Sequence, residues 1–161
     1  LGVTADVIVS QAALETGWGK HIISTDKISS FNMFNIKANR EWNGERMEKT
    51  SIEFIQGKAL RQKSDFRAYA SLEQSFSDYV SFLKESPRYQ SIFNAGQFND
   101  TNGEQLFHEM PYQLKSTYIE KLQQAGYATD PAYAEKVLNV LKSDVIQAQV
   151  QNQTKIAAKW R

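Results

Sequence analysis

Apolar and polar positions follow more than one rhythm along the chain. From Ala5 to Glu15, in "ADVIVSQAALE", Ile8, Gln11, Ala12 and Glu15 recur at spacings of three and four, with Val7 and Leu14 on the adjoining face. That period predicts a helix. Thr4 suits its N-cap and Asp6 its first turn. Gly17 and Gly19 end it, and Trp18 between them is large enough to anchor the turn in the core. Lys20 to Ser30 reads as a short helical piece and a loop. "SSFNMFNIKA", Ser29 to Ala38, is apolar and aromatic without a helical period. From Glu45 to Ser71 the period falls to two: Thr50, Ile52 and Phe54 alternate with Ser51, Glu53 and Ile55. With a turn at Gln56-Gly57-Lys58 and a returning strand in "ALRQKSDFRAY", this predicts a hairpin.

Helical spacing then returns. Ser71 to Gln74 carry the capping-box pattern S-x-x-Q ahead of Phe76, Val80 and Leu83, which predicts a helix over Leu72 to Glu85. Pro87 marks its end. "RYQSIFNAG" predicts a short helix and "FNDTNGEQ" a loop. Pro111 fits the first turn of a helix running to Gln124 and closed by Gly126. Asp130-Pro131 open what reads as the last helix, with Ala134, Val137, Leu138 and Leu141 inward. Beyond Asp144 apolar residues are sparse, so residues 145–161 are expected to form a frayed or extended helical tail that adds little to the core. The expected architecture is α+β: a mainly helical body, with a small β-hairpin lobe flanking a groove of the kind that takes elongated ligands. The expected organisation is one domain over 1–144 followed by the tail.

Composition narrows the function more than the fold. At 161 residues the chain suits one domain with a real core. The net charge of +1 provides no global field for nucleic acid. The absence of cysteine removes disulfides and thiolate catalysis. No apolar run reaches the roughly 18 residues that a membrane span needs. His21 and His108 have no companions at metal-ligand spacing, and no phosphate loop or Ser-His-Asp signature stands out, so neither metal nor cofactor is expected. The opening Leu1-Gly2-Val3-Thr4 enters a helix almost at once, without Met or a signal-peptide pattern. The chain is therefore expected to be a piece of a longer protein, lacking the domain's first helix, and missing targeting signals carry no weight.

One residue is out of place. Glu15 falls where the first helix should stop, and the C-terminal end of a helix disfavours an anion. A carboxyl partly buried there beside Leu14 and Trp18 tends to keep its proton and can serve as an acid near neutral pH. A solvated surface glutamate is the other reading of the same position.

Five segments occur in register: "QAALETGWGK" from Gln11, "FNMFNIKA" from Phe31, "TSIEF" from Thr50, "DFRAYASLEQSFSDYVSFL" from Asp65 and "AGYATDPAYAEKV" from Ala125. Together they make the chain resemble glycoside hydrolase family 73, the bacterial N-acetylglucosaminidases that cut peptidoglycan, and within it the hydrolase domains of flagellar rod-associated proteins. The resemblance covers roughly Val3 to Leu141. It implies a lysozyme-like fold with an extended groove, peptidoglycan glycan strands as substrate, and a periplasmic or cell-wall location. It also implies flagellar rod proteins as partners through a domain absent from this chain, with no nucleic acid and no membrane insertion. It puts the general acid on Glu15, a second carboxylate on Glu53 and an active-site tyrosine on Tyr127. Candidate substrate-binding residues are Phe34, Lys37, Trp42 and Tyr133; Phe34, Trp42 and also Tyr69 are rings able to stack on a sugar, and each suits a place in the core equally well. Two departures stand out. Asn32 to Lys37 reads N-M-F-N-I-K where the family usually has N-L-F-G-I-K, so Asn35 adds a side chain in place of a glycine. The stretch from Asn99 to Lys121 is also longer than the family leads one to expect.

For Glu53 a solvent-facing strand position competes with two functional roles: activating water on the opposite face, or orienting the substrate's own N-acetyl group together with Tyr127. Without substrate the polar hairpin is expected to hold Glu53 farther from Glu15 than paired glycosidase carboxylates stand, beyond about 9.5 Å. The competing functions are a lytic transglycosylase, in which Ser rather than Thr16 usually follows the glutamate, and a non-catalytic cell-wall-binding module.

Overall fold

The computed structural model describes the backbone of residues 2–55, 58–94 and 110–159, and side chains over 2–50, 61–93 and 110–152. Its elements are α1 (Ala5–Thr16), β1 (Arg46–Ile55), β2 (Lys58–Arg67), α2 (Leu72–Glu85), α3 (Pro87–Asn94), α4 (Tyr112–Gln124), α5 (Tyr133–Leu141) and α6 (Asp144–Lys159). Helices with one antiparallel two-stranded sheet make the α+β composition that the sequence predicts. The chain divides into two compact units, Leu1–Leu14 with Val80–Arg161, and Glu15–Tyr79.

The first unit is helical. Its fully buried side chains include Val7 and Gln11 of α1, Leu83 of α2, Tyr118, Ile119 and Leu122 of α4, and Val137 of α5. α1 is buried on most sides, since Ser10, Ala12, Ala13 and Thr16 are also covered. Such a helix is enclosed by protein rather than laid on a surface with one apolar stripe. Its start departs from expectation. Thr4 was expected to cap it, but the Thr4 hydroxyl has no partner among the described residues. Asp6 does the work instead. Its Oδ1 accepts the Val7 N–H at 3.0 Å, and its Oδ2 takes the Lys115 ammonium of α4 in a pair whose side chains are only 6% and 15% exposed.

Two helix ends in this unit set the positions of the tyrosines discussed below. α4 closes on Gly126, which adopts φ +78°. Gly126 N–H donates to Gln123 O at 2.9 Å and Tyr127 N–H to Leu122 O at 3.0 Å. This is the Schellman arrangement, and it needs a residue free to turn left-handed. α5 has no side-chain cap of its own. Gln123 supplies one from α4, accepting the Ala134 N–H at 2.6 Å while donating to Pro131 O at 3.0 Å.

The C-terminal segment is helical, as an extended helical tail would be, but it corrects the expectation that this tail adds little to the core. The chain continues through Lys142 and Ser143 into α6, of 16 residues. Gln147 secures the junction, its side chain donating to Leu141 O at 2.7 Å and its N–H to Ser143 O at 3.0 Å. Ile146 is 4% exposed and belongs to the core, whereas Val145 beside it is 59% exposed. Counting apolar residues missed this, because one isoleucine in the right phase is enough to dock a helical turn.

In the second unit β1 and β2 pair from Arg46↔Arg67 to Ile55↔Lys58, with Glu53 opposite Leu60. The turn expected at Gln56-Gly57 lies outside the described residues, as do the loop expected over Phe98 to Gln105 and His108. The hairpin base is widened by a bridge between Lys37 and Phe66. Ala38 N–H reaches Asp65 O, and Arg67 N–H reaches Ile36 O, both at 2.9 Å. The helical piece expected between Lys20 and Ser30 is absent. Ser24 and Ser29 form an isolated bridge instead, and the Thr25 hydroxyl accepts the Ile28 N–H at 3.2 Å. A short hydroxyl side chain offers the backbone a turn in competition with a helix. α2 begins with the expected cap. Ser71 Oγ accepts the Gln74 N–H at 3.3 Å, and Gln74 Oε1 reaches one residue further back, to the Ala70 N–H, at 2.9 Å.

The two neighbours at the start of α6 separate packing from composition. Ile146→Ala should lower unfolding stability by about 2–4 kcal/mol and Val145→Ala by less than about 0.5 kcal/mol. Denaturant titrations of both variants check this, and equal losses would show α6 to be undocked.

Candidate active site

α1 ends in a tight left-handed turn. Gly17, Trp18 and Gly19 adopt φ of +55°, +60° and +81° in succession. Buried Thr16 holds the turn: its hydroxyl accepts the Gly19 N–H at 2.9 Å and its carbonyl the His21 N–H at 2.8 Å. The His21 ring lies on Gly17 so closely that a Cβ there would come within 2.5 Å of it. Trp18 does not anchor the turn in the core, contrary to expectation. Three successive left-handed residues turn it outward, and it is 47% exposed. Its positive φ is costly for a residue with a large side chain.

Glu15, one residue before Thr16, is half-buried. It meets the loop from Asn32 to Lys37. Asn35 Nδ2 donates to the Glu15 backbone carbonyl at 2.7 Å and to Glu15 Oε2 at 3.3 Å. The side chain that the sequence departure adds is therefore turned onto the glutamate. The loop is closed by Asn32, which is fully buried. Asn32 Oδ1 accepts the Ile36 N–H at 3.0 Å, while Nδ2 donates to Ile36 O at 3.0 Å and to Arg67 O at 2.8 Å. The Met33 N–H is taken by Ser75 Oγ of α2 at 3.1 Å.

The structure separates the residues proposed to touch substrate. Phe34 is 3% exposed. Its ring stacks on Tyr79 at 3.9 Å and meets Phe76 edge-on at 5.0 Å. That corrects its expected role, because a ring packed so closely in the core offers no face to a sugar. Tyr133 is likewise 3% exposed, its hydroxyl accepting from Gln11 Nε2 at 3.0 Å, and it too is a core ring. Lys37 is exposed. Tyr127 is half-buried, tilted against Tyr133 at 5.6 Å and Tyr89 at 6.2 Å. The side chain of Glu53 lies outside the described residues, and with it the Glu15–Glu53 separation. Among the described residues no group of His, Asp and Glu is gathered for a metal.

Trp42 is half-buried in a cluster that sequence reading missed. Arg67 lies over its ring at 4.5 Å, Tyr69 meets it edge-on at 5.8 Å, and its Nε1 donates to Glu45 O at 2.9 Å. Arg67 Nη1 also donates to both oxygens of Asp78 at 2.8 Å, and the Tyr69 hydroxyl donates to Asp78 Oδ2 at 2.7 Å. Arg67 at the base of β2 is thereby tied to α2 and to the loop carrying Trp42. The signal was present as charged residues, Arg67 in the predicted hairpin and Asp78 in the predicted helix after it. Nothing in their spacing pairs them.

Comparison with known proteins gives one consistent result. Residues 1–144 match the profile of a family described as mannosyl-glycoprotein endo-beta-N-acetylglucosaminidase. The chain is 43% identical over 143 residues to the peptidoglycan hydrolase FlgJ of Pseudomonas aeruginosa, covering 88% of this chain and 32% of that protein. It is 40% identical over 140 residues to FlgJ of Vibrio cholerae, covering 87% and 37%. Among solved structures, a mutant peptidoglycan hydrolase from Sphingomonas sp. A1 superposes with a TM-score of 0.74 at 37% identity, covering 94% of this chain and 88% of that one. The chain thus spans about a third of the length of these two FlgJ relatives.

The Tyr69 cluster has a measurable consequence. Burial, followed by the hydrogen bond to Asp78, raises the Tyr69 hydroxyl well above the ordinary tyrosine value. The folded chain then holds this proton more tightly than the unfolded one. The resulting stability is fully present below about pH 10, the unfolded value, and is lost as pH rises beyond it. Burial raises Tyr89 in the same direction. Between about pH 9 and 11 the wild type should therefore lose more unfolding free energy than Tyr69→Phe, which lacks the Tyr69 part. Equal losses in the two proteins would remove Tyr69 from the linkage.

Proposed function

The chain belongs to the glucosaminidase family, with a lysozyme-like α+β fold, and from that premise we propose that it hydrolyses peptidoglycan at the β-1,4 bond between N-acetylglucosamine and N-acetylmuramic acid, with Glu15 as general acid. The observation that carries the reading is the environment of Glu15. It is a half-buried carboxyl at the C-terminal end of α1, where the helix dipole opposes ionisation, and an amide side chain holds it in place. A carboxyl so disposed is suited to hold a proton until a glycosidic oxygen takes it.

The chemistry follows from the bond. As the C1–O bond breaks, Glu15 gives its proton to the leaving oxygen and positive charge develops at C1. That charge is relieved in one of two ways, each of which gives a role to Glu53 of β1. Glu53 removes a proton from water attacking the opposite face, which inverts the anomeric centre. Alternatively the substrate's N-acetyl oxygen closes on C1, with Glu53 and Tyr127 steadying the ring until water opens it, which retains the configuration. Lys37 and the part of Trp42 not covered by Arg67 are the proposed sugar contacts. A cell-wall or periplasmic setting fits this substrate. No helix among the described residues is long and apolar enough to cross a membrane. The resemblance to the hydrolase domains of flagellar rod-associated proteins extends the proposal to flagellar assembly, with rod proteins as partners through parts of a longer protein.

Glu15→Gln keeps the side-chain shape and removes the proton. Its rate of peptidoglycan cleavage should fall by about 10²–10⁴-fold with unchanged thermal unfolding. A variant that keeps more than about a tenth of wild-type activity would exclude Glu15 as the acid. Mass spectrometry of the wild-type products should find reducing N-acetylglucosamine ends. Anhydro-muramic ends would make the protein a lytic transglycosylase, and wall binding with no cleavage would make it a binding module.

A further inference from the structure

Asn35 carries two local costs. It adopts φ +50°, in the left-handed region, which asparagine enters more readily than most residues with a side chain but less freely than glycine. Its Oδ1 is buried with no partner among the described residues. Costs of this kind persist where the surroundings hold them in place, and they collect at functional sites. Among the described residues, what its side chain gains for them is the pair of donations from Nδ2 to the carbonyl and carboxylate of Glu15 at 2.7 and 3.3 Å.

The direction of that amide is not ambiguous. The Glu15 backbone carbonyl only accepts, so the nitrogen of Asn35 must face it. Turning the amide over would set Oδ1 against two oxygens. The side chain therefore presents a fixed donor to Oε2, from a loop that Asn32 locks by three further hydrogen bonds.

We propose that Asn35 is a positioning residue for Glu15: it fixes where the carboxyl points, and its N–H limits how tightly the carboxyl keeps its proton. The proposal rests on the reading of Glu15 as the acid. A donor aimed at a carboxylate favours the ionised form. Burial and the helix end act the other way. Asn35 thus sets the balance, leaving Glu15 protonated enough to act as an acid yet able to release the proton in the transition state. The other charged or titratable side chains on the segments that meet there are Lys20 and His21 after the turn and Lys37 beyond Asn35. They are common to every variant below, so differences between variants report Asn35.

The test uses Asn35→Gly and Asn35→Asp. Glycine accepts φ +50° without strain and removes only the side chain. Aspartate also tolerates this conformation, but it replaces the donor with a second carboxylate. Rates on solubilised glycan strands are measured against pH, and the Glu15 side-chain carboxyl is titrated by carbon NMR. In Asn35→Gly the alkaline limb of the rate profile and the NMR midpoint should both move up, by about half to one pH unit. In Asn35→Asp they should move further up. The plateau rate should fall in both while thermal unfolding stays near wild type. Midpoints unmoved in both variants would overturn the proposal. The NMR midpoint does not depend on catalysis. If Glu15→Gln stays active, the acid assignment fails on its own, and the titration still decides whether Asn35 tunes Glu15.

Discussion

The second unit depends on the buried amide of Asn32. One side chain both accepts and donates across the loop to Ile36, and it also donates to Arg67 at the base of the hairpin. A buried amide with unmet bonds would be expensive, and here both ends are used. With the loop closed at Asn32 and Ile36, the residues between have little freedom. Phe34 enters the core against Tyr79, Asn35 faces Glu15, and Lys37 pairs with Phe66. The same side chain thereby fixes a core ring, a contact to the candidate acid and the register at the hairpin base. Arg67, whose carbonyl Asn32 uses, spends its guanidinium on Asp78 and Trp42. A two-stranded hairpin is marginal alone. This base of hydrogen bonds and one shielded ion pair ties β2 to α2 and the loop.

Much of the fold was legible in the sequence because its signals are local. The period of two gave the hairpin, the S-x-x-Q cap gave the start of α2, and Gly126 closed α4 with the residue that position needs, whereas Pro111 stands at the N-cap of α4 and not in its first turn. What was missed is not local. Asp6 rather than Thr4 secures α1 because Lys115, more than a hundred residues away, reaches it. Gln123 caps α5 from another helix. Ile146 docks α6 although its surroundings are Gln-rich. In each case a distant partner decides the outcome, and periodicity carries no information about it.

The candidate site divides in the same way. Glu15 was legible because a carboxyl before G-W-G contradicts the preference of a helix end, and a contradiction can be seen without a structure. Phe34 and Tyr133 were misplaced because an aromatic next to a site and an aromatic beneath it have the same letter. Only burial separates them, at 3% exposure for each. Trp18 was misplaced in the opposite direction. A tryptophan between glycines reads as an anchor when its φ is taken to be ordinary, and here the backbone turns left-handed through all three residues.

Those left-handed residues point to a division of labour along the chain. Among the described residues, the ones other than glycine with positive φ are Trp18, Phe31 and Asn35. All of them fall in the second unit, and two lie on the segments that meet at Glu15. In the first unit the only left-handed positions among the described residues are glycines, Gly2 and Gly126. A sequence under selection for stability alone would place glycine at such positions, and glycine stands at Gly17 and Gly19 on either side of Trp18. Trp18 and Asn35 carry side chains at such positions, and Asn35 turns its own onto Glu15. Asn35 stands where the family usually has glycine, so its amide is an addition made by this chain rather than a requirement of the loop's backbone.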